Sequence, residues 1–324
     1  MSNQDNYKKI NNNIEKVVID NPQTMNKIEW INILNAGQRE INYLKEHFHF
    51  HPEHLKASNS KAFSYRPMVH DGGKYLFMIL HFPVFSHGSI IAGEIEFFIG
   101  HGYLITVHNG NIKALGEFFE SCKKNPTNLL AYEAESSAIL LSEILNKLIR
   151  FCYTILDENS EAIDKVEEVI FAREQKEAVS TILDLRHNII NIRKILQNHK
   201  NILKKLVDIK SSVVQQSEIK KSYERLVDHS KRIWEILENQ KEMIEVLNST
   251  NESMLNNQLS NIMKTLTIFS VIVFPLTLLA AIFGMNAVNM PLVNMEHGFW
   301  YIIGIMLLGC FIMLLVFKKK KWLK

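Results

Sequence analysis

Two uncharged apolar runs near the C-terminus form the clearest pattern in the chain. They cover residues 265–286 and 298–317, and a short loop separates them. A helix needs about 20 apolar residues to cross a bilayer, and a backbone in hydrocarbon must satisfy its own hydrogen bonds. Both runs therefore predict membrane-spanning helices. Lysines at 318–321 follow the second run. By the positive-inside rule, we expect a plasma (inner) membrane protein with both termini in the cytoplasm.

A stripe of positions three or four residues apart runs along the first span, and Ser253 and Asn256 extend it upstream. Small and hydroxylic residues in such a stripe favour contact with partner helices, and a polar track leading into it indicates a water-filled axis shared by several copies. Ordinary helix packing through small residues explains the same periodicity, so both interpretations stay open. The candidate pore-lining residues are Ser260, Met263, Leu266, Ser270, Phe274, Thr277 and Ala281.

Residues 1–124 carry a mixed α/β pattern. Short strands are predicted at 17–20 and 30–34, followed by a helix through Ile41 and Leu44. The near-continuous apolar run 75–82 predicts a central strand. Apolar runs at 94–99 and 103–107 flank a Gly-His-Gly turn and predict a hairpin. We expect a mixed sheet with helices on at least one face.

From residue 128 the apolar periodicity is helical. Residues 125–212 predict an antiparallel hairpin of long helices that reverses near 173–178, with a polar break at 211–217. Residues 213–285 contain no Pro or Gly before Pro275, so they predict one helix of roughly 60 to 65 residues that is both stalk and first span. A loop at 286–297, the second span at 298–317 and a basic tail at 318–324 complete the predicted organisation. The seam of the helical hairpin is predicted at Leu141, Leu145, Leu148, Cys152, Ile155, Ile163, Val166, Ile170, Ile182, Leu185, Ile189, Ile192, Ile195 and Leu203.

Composition narrows the class of protein. Of 324 residues, 22% are charged and 47% are hydrophobic, which fits a soluble body with a membrane appendage rather than a polytopic transporter. The net charge of +3 is too small to indicate a nucleic-acid partner. Three scattered cysteines fit a reducing cytosol, and the first residues lack the apolar core of a signal peptide. No nucleophile constellation or phosphate-binding loop is present, so an enzyme is disfavoured.

The tripeptide Gly284-Met285-Asn286 closes the first span, with Pro275 and Thr277 two turns earlier and Met290-Pro291 just after it. In this position the tripeptide resembles the signature of the CorA family of magnesium channels. The resemblance implies a homopentameric funnel made of a cytoplasmic α/β domain, a long-helix stalk and two C-terminal transmembrane helices. It also implies a passive, gated channel for Mg²⁺, and also for Co²⁺ or Ni²⁺, with Mg²⁺ as both substrate and regulator.

Mg²⁺ dehydrates reluctantly, so a selective entrance can hold the hydrated ion through neutral oxygens. Asn286 supplies a side-chain amide, and we expect Gly284 to permit the backbone turn that ends the helix while Met285 packs behind the ring. A plain Gly-Asn helix terminus is the alternative. By resemblance, Met263 and Leu266 form a hydrophobic gate.

Two positions depart from the family pattern. Leu292 replaces an acid that often follows Met-Pro, which leaves Glu296 as the acid of the outer loop. In the stalk, Arg225 stands where the resemblance expects an aspartate of a regulatory metal site, although Asp228 follows it. Feedback by Mg²⁺ is then either lost or relocated to other acids, and we favour relocation with weaker sensitivity to Mg²⁺. The remaining candidate regulatory acids are Glu224, Asp228 and a helical face made of Asp157, Glu161, Asp164 and Glu168, for which an ordinary solvated face is the alternative.

A histidine run, His47, His49, His51 and His54, is a candidate transition-metal site. Alternating histidines on an exposed strand are the competing interpretation, and we favour it. Two rival functions also remain: a zinc transporter of the same fold, and a two-span signalling protein whose cytoplasmic domain binds a partner.

Overall fold

The computed structural model describes residues 6–21, 26–59, 66–86, 88–124, 136–172, 175–209, 216–285, 290–292, 295–320 and 322. The chain divides into two compact units, Met1–Asn248 and Ser249–Lys324. The strands are β1 Tyr7–Lys9, β2 Ile14–Asp20, β3 Lys27–Leu34, β4 Met68–Asp71, β5 Tyr75–Ser86, β6 Ser89–Gly100 and β7 Tyr103–His108. The helices are α1 Gln38–Phe48, α2 Pro52–Ala57, α3 Lys113–Lys124, α4 Ser137–Phe171, α5 Gln175–Leu196, α6 His199–Asp208, α7 Gln216–Phe283 and α8 Gly298–Lys319.

The strands of the first unit form one sheet in the order β1-β2-β3-β7-β6-β5-β4. The β3–β7 pair is parallel and the other pairs are antiparallel, so the predicted mixed sheet is confirmed. The predicted hairpin is also confirmed: β6 and β7 pair antiparallel, and Gly102 has φ +76°, a conformation that glycine adopts without strain.

The apolar run 75–82 lies in β5, but β5 is not central. It lies second from the edge, between β6 and β4. A continuous apolar run indicates that both faces of a strand are buried, but it does not indicate where the strand lies in the sheet. Here Phe77 packs in the core on the α1–α2 side. Leu76, the preceding residue, belongs to the opposite face of the sheet and is buried as well.

The helical seams are confirmed by burial. Every predicted seam residue from Leu141 to Leu203 is buried. The predicted reversal coincides with the break between Phe171 and Gln175, which end α4 and begin α5. The returning seam is shared by two helices, because α5 ends at Leu196 and α6 begins at His199. Of the predicted polar break, residues 211–215 lie outside the described residues.

The predicted stalk-and-span helix is confirmed as α7, a single helix of 68 residues that contains Pro275. In the first unit, α7 is attached to α4 by buried polar contacts. The Tyr223 hydroxyl donates to the Ala138 carbonyl oxygen at 2.7 Å, and Gln240 Nε2 donates to the Leu156 carbonyl oxygen at 2.7 Å. These bonds set the register of the two helices, because each donor is buried and meets one specific carbonyl.

The second unit contains the rest of α7 and helix α8. Both helices include stretches long and apolar enough to cross a membrane, and the apolar window of each is uncovered by other parts of the chain. Large apolar side chains exposed to water would be unfavourable, so these surfaces require lipid or partner helices.

Candidate ion pathway and metal-binding residues

Helix α7 ends at Phe283, directly before the signature tripeptide. The Gly284 N–H donates to the Ala280 carbonyl oxygen at 2.9 Å, and the Met285 N–H donates to the Ile282 carbonyl oxygen at 3.3 Å. Asn286 lies outside the described residues.

Gly284 lies in the turn that directly follows α7, where we expected it to permit the end of the helix. It does not have a positive φ, unlike Gly102. A Cβ atom at position 284 would lie 3.0 Å from the Ala280 carbonyl oxygen, which is a tight contact.

The stripe predicted to line a pore lies on one face of α7, as the helical period requires. Met263, Leu266 and Phe274 are 53%, 59% and 71% exposed. Phe269 lies off the stripe and is 68% exposed, so exposure in one chain does not distinguish a pore face from a lipid face. Ser260 and Ala281 are also exposed, and Ser270 is half-buried.

Thr277 offers oxygen lone pairs from this face. Its hydroxyl donates to the Val273 carbonyl oxygen at 2.8 Å within α7. Because the hydroxyl hydrogen is used in the helix, the oxygen remains an acceptor. Glu296, the predicted acid of the outer mouth, is exposed in the turn before α8.

The two stalk acids, Asp228 and Glu224, each form an ion pair with a lysine of the same helix. Asp228 Oδ1 lies 2.8 Å from Lys231 Nζ, and Glu224 lies 3.9 Å from Lys220 Nζ. The hydrogen bond and charge of Lys231 lower the pKa of Asp228. Each carboxylate therefore already has a cation beside it.

Around His229 the charge is positive. Burial lowers the pKa of His229, and the charges of Arg232, Arg150 and Arg225 lower it further. Sequence reasoning identified Arg225 but missed Arg150 and Arg232. Arg150 lies on α4, and its closeness to His229 follows from the packing of α4 against α7.

The acidic face of α4 is exposed as predicted, at Asp157, Glu161, Asp164 and Glu168. It also carries a cation: Lys165 Nζ lies 2.8 Å from Glu161 Oε1. The hydrogen bond from Lys165 lowers the pKa of Glu161. Four acids and one lysine leave a net negative surface on this helix.

The histidine run is not an exposed strand, and that interpretation is wrong. Its residues span the end of α1, a turn and α2, because His49 has φ 54° and reverses the chain there. His47 Nδ1 lies 3.0 Å from the Tyr43 carbonyl oxygen, and His51 caps α2. His54 is buried. His49, His51 and His54 nevertheless line one common cavity, and His47 is not among its lining residues.

Among the described residues, no set of three His, Cys, Asp or Glu side chains is placed to share one metal ion. Sequence reasoning also missed His70. This residue lies on β4, and its ring centroid is 5.0 Å from that of His54. Two histidines far apart in the chain, one on α2 and one on β4, give no periodic signal.

Comparison with known proteins identifies the family. Residues 25–319 match the family described as CorA-like Mg²⁺ transporter protein. The chain is 24% identical over 298 residues to the cobalt/magnesium transport protein CorA of Thermotoga maritima, covering 91% of this chain and 83% of that protein. It is 24% identical over 257 residues to the cobalt/magnesium transport protein CorA of Methanocaldococcus jannaschii, covering 79% and 80%.

The fold agrees with this result. The complete structure of the CorA magnesium transporter from Methanocaldococcus jannaschii superimposes with a TM-score of 0.81 at 21% identity, covering 91% of this chain and 92% of that one. The matched region includes the mixed sheet, the long helix and both apolar helices. This membrane protein therefore belongs to the family of CorA-like Mg²⁺ transporters.

Proposed function

We propose that this protein is a homopentameric, gated channel through which hydrated Mg²⁺ enters the cytoplasm passively. Co²⁺ and Ni²⁺ are further cargoes in this proposal. The observation that carries it is the position of Gly284-Met285-Asn286 at the end of the apolar part of α7. The same tripeptide in a surface loop would not indicate an ion channel. At the end of a transmembrane helix, it is in a position to contact each entering ion.

In this proposal the selective entrance is a ring of Asn286 side chains and Gly284 carbonyl groups, with Met285 behind it. Neutral oxygen acceptors suit Mg²⁺, because the ion retains its water shell and the ring can bind those waters. Thr277 provides a second ring of acceptor oxygens two turns deeper. Its hydroxyl hydrogen is engaged with Val273, so its lone pairs are available. Glu296 concentrates cations at the outer mouth.

The closed state depends on apolar side chains in the same proposal. Met263, Leu266 and Phe274 stand on the stripe and carry no polar atoms that could replace water around an ion. A ring of such side chains closes a pore by dewetting. When the ring opens, a divalent ion gains roughly 4.6 kcal/mol per 100 mV of inward-directed potential, twice the value for a single charge. Import therefore requires no chemical fuel.

The orientation and the domain limits belong to the proposal as well. The lysines after α8 place both termini in the cytoplasm of a plasma (inner) membrane protein. Residues 1–124 form the cytoplasmic α/β domain, 125–212 the helical hairpin and 213–285 the stalk with the pore helix. Residues 286–297 form the outer loop, 298–317 the second span and 318–324 the tail.

We place Mg²⁺ feedback on the acidic face of α4 rather than on the stalk. Asp228 and Glu224 are paired with lysines, and three arginines surround the neighbouring His229. The face with Asp157, Glu161, Asp164 and Glu168 keeps a net negative charge. In an oligomer this face is repeated, which raises the local concentration of divalent ions.

Flux into liposomes that contain only this protein tests the proposal. A dye inside the liposomes should report Mg²⁺ entry that increases with inside-negative potential and requires no nucleotide. Entry of Zn²⁺ without Mg²⁺ would instead favour the zinc transporter of the same fold. No flux of any divalent ion through correctly assembled protein would favour the two-span signalling protein and overturn the channel.

A further inference from the structure

We propose that His54 and His70 form a binding site for a borderline transition-metal ion such as Ni²⁺, Co²⁺ or Zn²⁺ in the first unit. The two residues border a cavity of about 850 Å³ beside α2, β4 and β5. Its lining combines aromatic residues, among them Phe50, Tyr75 and Phe77, with the polar residues His49, His51, Glu53 and Lys56. This site is separate from the proposed ion pathway on α7, and its occupancy can be measured without transport.

The separation of the two imidazoles suits a shared ion. Their ring centroids are 5.0 Å apart with an interplanar angle of 68°. A zinc-to-nitrogen bond is about 2.1 Å, so two imidazoles on one tetrahedral or octahedral ion have centroids about 5 Å apart. The ring separation is therefore compatible with one shared ion, whose remaining ligands would be water molecules.

The surroundings hold His54 in one orientation. Its ring stacks on Phe77 with centroids 4.3 Å apart, and its Nδ1 lies 2.7 Å from the Tyr75 hydroxyl. The Tyr75 hydroxyl also accepts a hydrogen bond from the His51 backbone N–H at 2.9 Å. Nε2 has a lone pair for a metal in the tautomer whose Nδ1–H donates to the Tyr75 oxygen, which then accepts from both His54 and His51. A hydrogen bond to the other ring nitrogen is what orients most metal-binding histidines.

The two imidazoles also determine which ions the site selects. A neutral imidazole offers the lone pair that a metal needs. A pair of neutral nitrogens favours Ni²⁺, Cu²⁺ and Zn²⁺, whereas Mg²⁺ prefers oxygen ligands. The pocket thus discriminates against the main cargo of the family.

Ni²⁺ binding to the full-length protein in detergent, without a histidine tag, tests this inference. Equilibrium dialysis in excess Mg²⁺ should give one Ni²⁺ per chain with micromolar affinity. We expect His70→Ala and His54→Gln to weaken that binding at least tenfold. His70 is exposed on the short strand β4, so its replacement leaves the core intact. His47→Ala is the matched control that should bind as the wild type does, because His47 is not among the residues that line the cavity.

A second readout separates this site from the pore. With Cu²⁺ as the probe, electron paramagnetic resonance should show coupling to two nitrogens in the wild type and to one in His70→Ala. The Asn286→Ala variant should retain the Ni²⁺ site. The inference is overturned if the protein binds no Ni²⁺, if His70→Ala binds it unchanged, or if His47→Ala loses it equally. Loss of Ni²⁺ binding in Asn286→Ala would assign the ion to the pore instead.

Discussion

The Tyr153 hydroxyl on α4 lies 3.1 Å from Nδ1 of His229 on α7. The same hydroxyl lies 3.3 Å from the His229 carbonyl oxygen. This contact fixes the stalk part of α7 against α4 beside Arg150, Arg225 and Arg232, whose charges act on His229. The charges of three arginines therefore act at a position where the family resemblance suggests a regulatory divalent ion, and they disfavour Mg²⁺ binding beside Asp228.

The first prediction is that Arg225→Asp makes the channel more sensitive to cytoplasmic Mg²⁺. The replacement changes the local charge by two units and supplies a ligand oxygen, whereas a guanidinium cannot bind a cation. Patch recordings with stepped cytoplasmic Mg²⁺ should show half-inhibition at a several-fold lower concentration. Arg186→Asp makes the same charge change at an exposed position of α5 and serves as the control. If Arg225→Asp and the wild type are inhibited at the same Mg²⁺ concentration, this position does not take part in gating.

The second prediction is that Asn286→Ala abolishes selective Mg²⁺ flux and leaves assembly intact. The change removes one amide acceptor per subunit from a ring that must hold the waters of a hydrated ion. We expect liposome flux to fall at least tenfold, with an unchanged elution volume in size-exclusion chromatography. Asn294→Ala, in the same outer loop but outside the tripeptide, is the matched control. Wild-type flux and selectivity in Asn286→Ala would contradict the proposed entrance.

The third prediction concerns pH. His199 is buried, and its Nε2 donates to the His81 carbonyl oxygen at 2.7 Å. Burial lowers the pKa of His199 to about 4. The unfolded chain binds this proton below its ordinary pKa of about 6.5, so stability is complete above that pH and decreases as pH falls toward 4. Between pH 7.5 and 5.5 the loss from His199 is about 1 kcal/mol.

Replacing the imidazole tests that contribution. In His199→Gln the side-chain amide can donate to the same carbonyl oxygen but does not titrate. Denaturation in detergent should show a decrease in the free energy of unfolding between pH 7.5 and 5.5 that is smaller by about 1 kcal/mol than in the wild type. The raised pKa of Glu96 acts in the opposite direction, but it is common to both proteins. His187→Gln, exposed on α5, should leave the pH dependence unchanged. Equal decreases in wild type and His199→Gln would contradict the assignment.

The fourth prediction is that Tyr223→Phe destabilises the first unit by about 1–2 kcal/mol. The change removes the hydroxyl that donates to the Ala138 carbonyl oxygen at 2.7 Å and leaves that buried acceptor without this donor. Chemical denaturation monitored by circular dichroism measures the effect. Tyr43→Phe, at a half-buried position of α1, is the control. A loss no larger than in the control would mean that this bond does not contribute to the attachment of α7 to α4.

Local patterns in the sequence determined the secondary structure and the class of protein. The uncharged runs predicted the membrane helices, and the unbroken stretch before Pro275 predicted that α7 is one helix. The seam from Leu141 to Ile170 predicted the buried side of α4. These predictions succeeded because periodicity and the absence of Gly and Pro are properties of neighbouring residues. The tripeptide that ends in Asn286 indicated the family for the same reason, because its position at the end of the first apolar run can be seen in the sequence alone.

Only the tertiary structure decided which distant side chains meet. β5 is second from the edge, although its apolar run is typical of any strand covered on both faces. The β4–β5 register places His70 opposite Phe77, and the His54 ring of α2 stacks on Phe77. Both histidines therefore lie next to the same phenylalanine. Likewise Arg150 reaches His229 only because α4 packs against α7. Contacts of this kind depend on strand register and on helix packing, and local sequence patterns do not predict which distant residues these bring together.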